Sequence, residues 1–95
     1  MKKQITISGK RWFEKTNGNT YFSCDIFVNG TPVNRIPFNY GYGSMYEQAA
    51  IEWLENNGHL KKDEKGKYTP RWVHEENEDV KIISVVSDVS RRKDL

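Results

Sequence analysis

Alternating apolar and polar residues in the N-terminal half of the chain predict three β-strands. In the first segment, Ile5 and Ile7 alternate with Thr6 and Ser8, as residues do in a strand with one buried face. Turn-forming residues separate the segments and predict two hairpins, so we expect an antiparallel meander. The three segments are 4–13, 20–28 and 33–40.

The second hairpin poses a question of register. A two-residue turn at Asn29-Gly30 would place Phe38 on the face opposite to Phe22. We therefore expect a bulged turn with Gly30 in the left-handed conformation, which puts the even-numbered residues of both strands on one face. Proline cannot donate to a β-ladder, so Pro32 and Pro37 predict that the third strand lies at a sheet edge or is bulged near them.

An amphipathic helix is predicted over about residues 45–56. Ser44 and Glu47 have the spacing of a capping box at its start, and Gly58 can end it in the left-handed conformation. Ile51 lies off the apolar stripe that should cover the sheet. That stripe consists of Tyr46, Ala49, Ala50, Trp53 and Leu54.

The C-terminal half is less regular. Residues 61–79 form a charged loop region, within which 68–73 have strand-like composition and 75–79 read as an acidic loop. Residues 80–89 carry a nearly unbroken β-branched series, which predicts a central strand, and 90–95 form a basic tail. The prediction is one α+β domain, 1–95, in the order β-β-β-α-β. It has a mainly antiparallel sheet of about four strands and one principal helix packed on one face.

Length and composition restrict the class of protein. The chain has 95 residues, a net charge of +2 and a pI near 8.7, which is too weakly basic to predict nucleic-acid binding from charge alone. No apolar run has the length of a membrane span, and no secretory signal is expected. Cys24 is the single cysteine, so an internal disulfide is excluded and a cytoplasmic location is expected.

Residue types that carry chemistry are present but show no catalytic or metal-binding spacing. His59 and His74 are interpreted as surface histidines, because neither has metal-ligand spacing with Cys24. Cys24 is in phase with apolar neighbours on its strand, which predicts a buried, inert thiol. The sequence therefore predicts a protein that is not an enzyme and binds no metal and no cofactor.

Clustered tyrosines around the start of the helix predict a protein-binding surface. Tyr40, Tyr42 and Tyr46 flank two glycines, and tyrosine is enriched at protein interfaces. Pairing along the free edge of the third strand, around Arg35, is an alternative that could also produce a homodimer.

A small nucleic-acid-binding regulator is the alternative function. Basic and aromatic residues are interleaved at two places in the chain, as a stacking platform for single strands requires, and the tail adds further cations. The candidate residues are Lys10, Arg11, Trp12, Arg71, Trp72, Arg91, Arg92 and Lys93.

The chain also resembles small accessory proteins of tailed bacteriophages and prophages. The resemblance spans nearly the whole chain except 61–79, and it assigns no catalytic or ligand-binding residue. It implies a viral product that acts in the bacterial cytoplasm by binding a host or antiviral-defence protein and inhibiting or redirecting it. The matching segments are 5–13, 18–21, 40–43 and 85–89, with the final Asp94-Leu95.

Overall fold

The structure is a computed structural model that describes residues 2–65 and 69–95. It is an α+β domain with a four-stranded sheet in the order β3-β2-β1-β4, which confirms the predicted class. In chain order the elements are β1 (Lys3–Glu14), β2 (Asn19–Val28), β3 (Thr31–Tyr40), α1 (Met45–Asn56), α2 (Arg71–Asn77) and β4 (Val80–Val89). A single 3₁₀ turn, Arg92–Asp94, follows in the tail.

The last strand lies at an edge and not in the centre of the sheet. β1 and β2, and β2 and β3, are antiparallel, whereas β4 is parallel to β1. Between β3 and β4 the chain passes through both helices, and a crossover of this kind delivers a parallel strand. The sheet is therefore mixed. The prediction of a central strand over 80–89 is wrong, and the edge position predicted for β3 is confirmed.

The second hairpin turn differs from the predicted one. Val28 pairs with Thr31 across a two-residue turn, and Asn29 and Gly30 have φ values of 51° and 82°, as a type I′ turn requires. The register shifts twice inside β3 instead, near each of its prolines. The first shift brings Ile36 opposite Cys24, as expected, and the second turns Phe38 to the opposite face.

The core lies between one face of the sheet and the two helices. Odd-numbered residues of β1 and even-numbered residues of β2 face α1, and Tyr46 of α1 lies against Gly9, where a Cβ atom would come within 2.5 Å of the ring. Ile51, which lies off the predicted stripe, is fully buried. The buried apolar residues are Ile5, Ile7, Phe22, Cys24, Ile26, Tyr46, Ala50, Ile51, Leu54, Leu60, Val80 and Ile82.

Helix α1 has the predicted bounds and end, but its start differs. The Ser44 side chain makes no capping hydrogen bond, because its backbone (φ −95°, ψ 16°) is not in the extended conformation of a capping residue. Its carbonyl oxygen instead accepts the N–H groups of Glu47 and Gln48. At the other end Gly58 has φ 80°, and Leu60 folds back so that its N–H donates to the Leu54 carbonyl.

Part of the predicted loop region is a second helix. Residues 71–77 form α2, so neither the strand-like reading of 71–73 nor the acidic loop at 75–77 is correct; Tyr68 lies outside the described residues. The α2 side chain His74 is held by carboxylates of α1 and of the helix end, contacts that local composition does not reveal. In the described ranges no helix is long and apolar enough to cross a membrane.

Candidate functional site

The two faces of the sheet have different surroundings. Both helices lie on one side, because α1 packs on β1 and β2 while α2 contacts β4 and joins α1 through His74 and Glu55. We call the opposite side the open face. Among residues 2–65 and 69–95, no helix packs on the open face, and only the C-terminal tail reaches it.

Aromatic side chains from three adjacent strands stack across the open face. We call Trp12, Tyr21, Phe38 and Tyr40 the aromatic ladder. The ring centroids of Trp12 and Tyr21 are 5.7 Å apart, and those of Tyr21 and Phe38 are 4.6 Å apart, with interplanar angles of 25° and 20°. Tyr40 meets the edge of Tyr21 at 5.7 Å. These distances are in the range of favourable aromatic pairs, so the ladder stabilises the sheet on the side away from the core.

The tail extends the ladder at its far end. The guanidinium carbon of Arg92 lies 4.4 Å from the centroid of the Phe38 ring, which is a cation–π contact. Phe38 thus contacts both Tyr21 and Arg92. The 3₁₀ turn positions this side chain, since the N–H of Leu95 donates to the Arg92 carbonyl.

Aliphatic side chains continue the apolar surface toward β4. Val89 lies beside Trp12 and extends the row that the aromatic ladder forms across the strands. Ile83 and Phe27 flank Thr6 and form a second apolar row across the open face. Val85, also on this face, is 51% exposed. Contiguous exposed apolar side chains on a small domain are a feature of interaction sites.

The open face carries both ion-paired and exposed charges, and Lys81, which pairs with Gln4 in the β1–β4 register, is exposed there. Arg35 donates from one guanidinium nitrogen to both carboxylate oxygens of Asp25, at 3.0 and 3.1 Å. In the tail, Arg91 lies 3.4 Å from the Asp94 carboxylate. Lys10, between the two apolar rows, is exposed. The open face therefore carries apolar rows and charged side chains together.

The three predicted contact tyrosines do not share a surface. Tyr40 is 58% exposed on the open face and Tyr42 is 66% exposed in the loop before α1. Tyr46 is only 6% exposed, and its hydroxyl lies 2.9 Å from Ser84 Oγ, so it belongs to the core and cannot serve as the predicted contact. Tyr42 instead lines a shallow depression with Arg11 and Phe13 at the other side of the sheet.

The residues predicted for nucleic-acid binding are divided between the two sides of the domain. Lys10, Trp12 and Arg92 lie on the open face. Arg11 faces the helix side, where it is 3.0 Å from Asp88 and donates to the Gly43 carbonyl. Arg71 and Trp72 belong to α2, Arg71 near Glu47 and Glu75 and Trp72 exposed, so they are not part of one platform with Trp12. Lys93 is exposed in the 3₁₀ turn, as is Arg91 just before it.

Tyr21 and Phe38 were not among the candidate contact residues predicted from the sequence. Strand alternation places Tyr21 opposite to the face of Phe22, and Phe38 was placed on the face of Phe22 because the second register shift is not visible in the sequence. The recognisable signal was the pair of prolines in an otherwise regular strand, since prolines in sheets accompany bulges.

His74 was also misplaced, because it is 2% exposed and not a surface histidine. Its Nε2 atom lies 2.8 Å from Glu55 Oε2, and its Nδ1 atom contacts Glu78. Each contact joins a ring nitrogen of His74 to a carboxylate oxygen within hydrogen-bond distance. This cluster ties α2 to α1.

Cys24 is buried, as predicted, beneath α1. Burial raises the pKa of the thiol from 9.0 to about 11, with a smaller contribution from the negative charge of Asp25. The thiol donates weakly to the Tyr46 carbonyl at 3.7 Å. The thiolate, which is the nucleophilic form, is thus disfavoured at neutral pH.

Comparison of the chain with protein-family models, with curated proteins and with solved structures gives no match. The open face with its aromatic ladder is therefore characterised by its geometry alone. Among the described side chains, no group of three or more metal-ligating residues is arranged to hold an ion.

Proposed function

We propose that this protein is a non-enzymatic binding protein that docks a partner protein on the open face, with the aromatic ladder at the centre of the contact. The observation that carries the proposal is the stack of Trp12, Tyr21 and Phe38 on a sheet face that no described helix covers. Aromatic residues are enriched at the centres of protein interfaces, and the aromatic ladder places four of them together.

The orientation of the rings favours a protein over a nucleic acid. A base stacks on the free face of an aromatic ring. Strand β2 lies between β1 and β3, so Tyr21 has Trp12 on one side and Phe38 on the other. Phe38 in turn contacts both Tyr21 and Arg92. The interior rings of the ladder already stack against other side chains of the chain, and apolar contact with a partner does not require a free ring face as base stacking does.

The resemblance to accessory proteins of tailed bacteriophages and prophages extends the proposal. Proteins of this kind act in the cytoplasm of the bacterial host. We therefore propose that the partner is a host or antiviral-defence protein that is inhibited or redirected when it is bound. An apolar docking surface on a small, rigid sheet supports such a role, because a preformed surface spends little conformational entropy on binding.

Nucleic-acid binding is the second candidate, and one observation favours it. Lys10 and Arg92 both lie on the open face, Lys10 two residues before Trp12 and Arg92 against Phe38, so this face carries cations beside aromatic rings. Binding by this group would fall steeply with salt concentration, because each phosphate contact releases counterions.

The test compares alanine variants of two exposed tyrosines, one on the open face and one in the loop before α1. Tagged wild-type protein, Tyr40→Ala and Tyr42→Ala are used to capture proteins from bacterial lysate, with and without nuclease, and mass spectrometry identifies what is retained. The tyrosines are matched in exposure, 58% and 66%, but only Tyr40 lies on the open face. The dissociation constant of a purified partner is then measured for all three proteins by calorimetry.

We expect a discrete partner that survives nuclease and binds Tyr42→Ala normally. Its affinity for Tyr40→Ala should fall at least about tenfold, because truncating a central interface tyrosine costs more than about 1.4 kcal/mol. Loss of binding in Tyr42→Ala alone would move the site to the loop before α1. Capture that disappears with nuclease, together with salt-dependent binding of a single-stranded oligonucleotide, would establish the second candidate instead.

A further inference from the structure

The two edges of the sheet differ in how well they are protected against pairing with another strand. β3 has two prolines and two register shifts, both of which discourage pairing. β4 keeps one register with β1 over all of Val80–Val89 and contains neither proline nor glycine. A regular, β-branched edge strand of this kind is a template for another strand.

The backbone groups of β4 that point away from the sheet can be identified from two hydrogen bonds. The Lys3 N–H donates to the Asp79 carbonyl, so the backbone N–H and C=O groups of odd-numbered residues in β4 point toward β1. The Ile82 N–H reaches the Glu75 carboxylate at 3.5 Å, so even-numbered residues point outward. Because the direction alternates along a strand, Ser84, Val86 and Asp88 present their N–H and C=O groups at the edge.

The outward groups at the start of β4 are already used within the chain. Glu75 of α2 covers the Ile82 N–H, and the Val80 N–H donates to the Glu78 carbonyl. Helix α2 thus closes the edge as far as Ile82. The free part of the edge comprises residues 83–89, and its midpoint is Val86.

We propose that two copies of this chain pair through their β4 strands, antiparallel and about a two-fold axis at Val86, to form one continuous eight-stranded sheet. In an antiparallel pair, opposed residues share a face, so residue i meets residue 172 − i of the second copy. Val86 then faces Val86, Ser84 faces Asp88, and Ile83 faces Val89 of the second copy.

This register fits the free edge at both ends. The second copy's strand ends at Val89, which lies opposite Ile83, so the approaching chain stops where α2 begins to cover the edge. Residues with outward backbone groups face one another and exchange hydrogen bonds. On the open face, Ile83 and Val89 form apolar pairs across the axis, and each Val89 adjoins Trp12 in its own copy. The dimer would thereby join the two open faces into one surface.

Proline at position 88 tests the interface without touching the β1–β4 ladder. Asp88→Pro removes an outward N–H that the folded monomer does not use, and Asp88→Asn is the matched control, because it keeps that N–H and loses only the ion pair with Arg11. Sedimentation equilibrium gives the mass of each protein, and circular dichroism confirms that each is folded. We expect dimers for the wild type and Asp88→Asn and a dimer dissociation constant at least about tenfold weaker for Asp88→Pro.

Cysteine substitution tests the register independently. In Val86→Cys the two Cα atoms would lie about 5.5 Å apart across the axis, within disulfide range, whereas in Ser87→Cys they would be about 8 Å apart and out of range. The native Cys24 is buried, so the wild type should not cross-link. Oxidation should give a covalent dimer for Val86→Cys and little for the more exposed Ser87→Cys.

Three results would overturn the proposal. The first is a wild type that stays monomeric up to about millimolar concentration, because its dimer would then be weaker than about 4 kcal/mol. A dimer that Asp88→Pro leaves unchanged would place the contact elsewhere, for example at β3. Cross-linking of Ser87→Cys in preference to Val86→Cys would exclude the proposed pairing of the two β4 strands about Val86.

Discussion

Replacing His74 by alanine should destabilise the domain by about 3–4 kcal/mol, because it leaves the buried carboxylate of Glu55 without its hydrogen-bond partner. The imidazole is 2% exposed and both of its nitrogens contact carboxylates. Glu55 is 8% exposed, so without His74 its carboxylate stays buried and loses the hydrogen bond of 2.8 Å.

The magnitude comes mainly from Glu55. A hydrogen bond to a charged group contributes about 1.5–3 kcal/mol, and an unpaired buried carboxylate adds its desolvation cost. The Glu78 side chain is 22% exposed and also accepts the Lys61 N–H at 3.0 Å, so it can rehydrate and adds little. A domain of this size has a total stability of about 5–10 kcal/mol, so the loss would be a third or more of it.

Urea unfolding at neutral pH, followed by circular dichroism, measures the free energy of unfolding for each variant. Glu76→Gln is the control, because Glu76 lies on the same helix but is exposed; its effect should be within about 0.5 kcal/mol. The double variant Glu55→Leu/His74→Leu removes both polar partners, and it should recover much of the loss because an apolar pair of suitable volume replaces a buried ion pair well.

The reasoning would be refuted by a His74→Ala loss below about 1 kcal/mol, which is the range of a surface histidine. It would also be refuted if the double variant were less stable than His74→Ala alone. That outcome would mean that the stability comes from the shape of the site and not from the pairing of buried polar groups.

Two further predictions concern the interface between α1 and the sheet. The pKa of the Cys24 thiol is 9.0 in the unfolded chain and about 11 in the folded protein, so between these pH values the unfolded chain binds fewer protons. The free energy of unfolding should therefore fall as the pH rises through this range, by up to about 2–3 kcal/mol relative to Cys24→Ala. Parallel pH profiles of unfolding for the two proteins would contradict this. Gly9→Ala should cost about 1–3 kcal/mol in thermal unfolding, because its Cβ would lie 2.5 Å from Tyr46 Cδ2. Ser8→Ala, on the open face, is the control, and equal stability of the two variants would show that the ring moves freely.

Much of the fold was predictable because it follows from local rules. The alternation from Ile5 onward, the Asn29-Gly30 turn and the helix ending at Gly58 each depend on residues that are close in sequence. The helix at 71–77 was not predictable in this way, because a short segment with a weak apolar pattern has no decisive local preference. The helical conformation of 71–77 is accompanied by the contact between His74 and Glu55, which is distant in sequence.

The candidate site shows the same division. Trp12 was assigned to a basic and aromatic surface from sequence, and it lies on the open face. Tyr46 was predicted both on the apolar stripe and as a contact, and it is buried against Gly9 as the stripe requires. Phe38 was predicted on the core face, and a register shift turns it outward. A shift of one residue reverses the facing of every later side chain, so an error of this kind moves whole residues between core and interface.

The sequence by itself determined the class of domain, the number of strands, the principal helix and the buried state of Cys24, because periodicity and turn chemistry act over a few residues. The tertiary structure decided which strands lie at the edges, that β4 runs parallel to β1, that two bulges correct the register of β3, and that the aromatic rings stack on an uncovered face. These features depend on contacts between residues far apart in the chain, whose energies compete with local preferences and cannot be read from either partner alone.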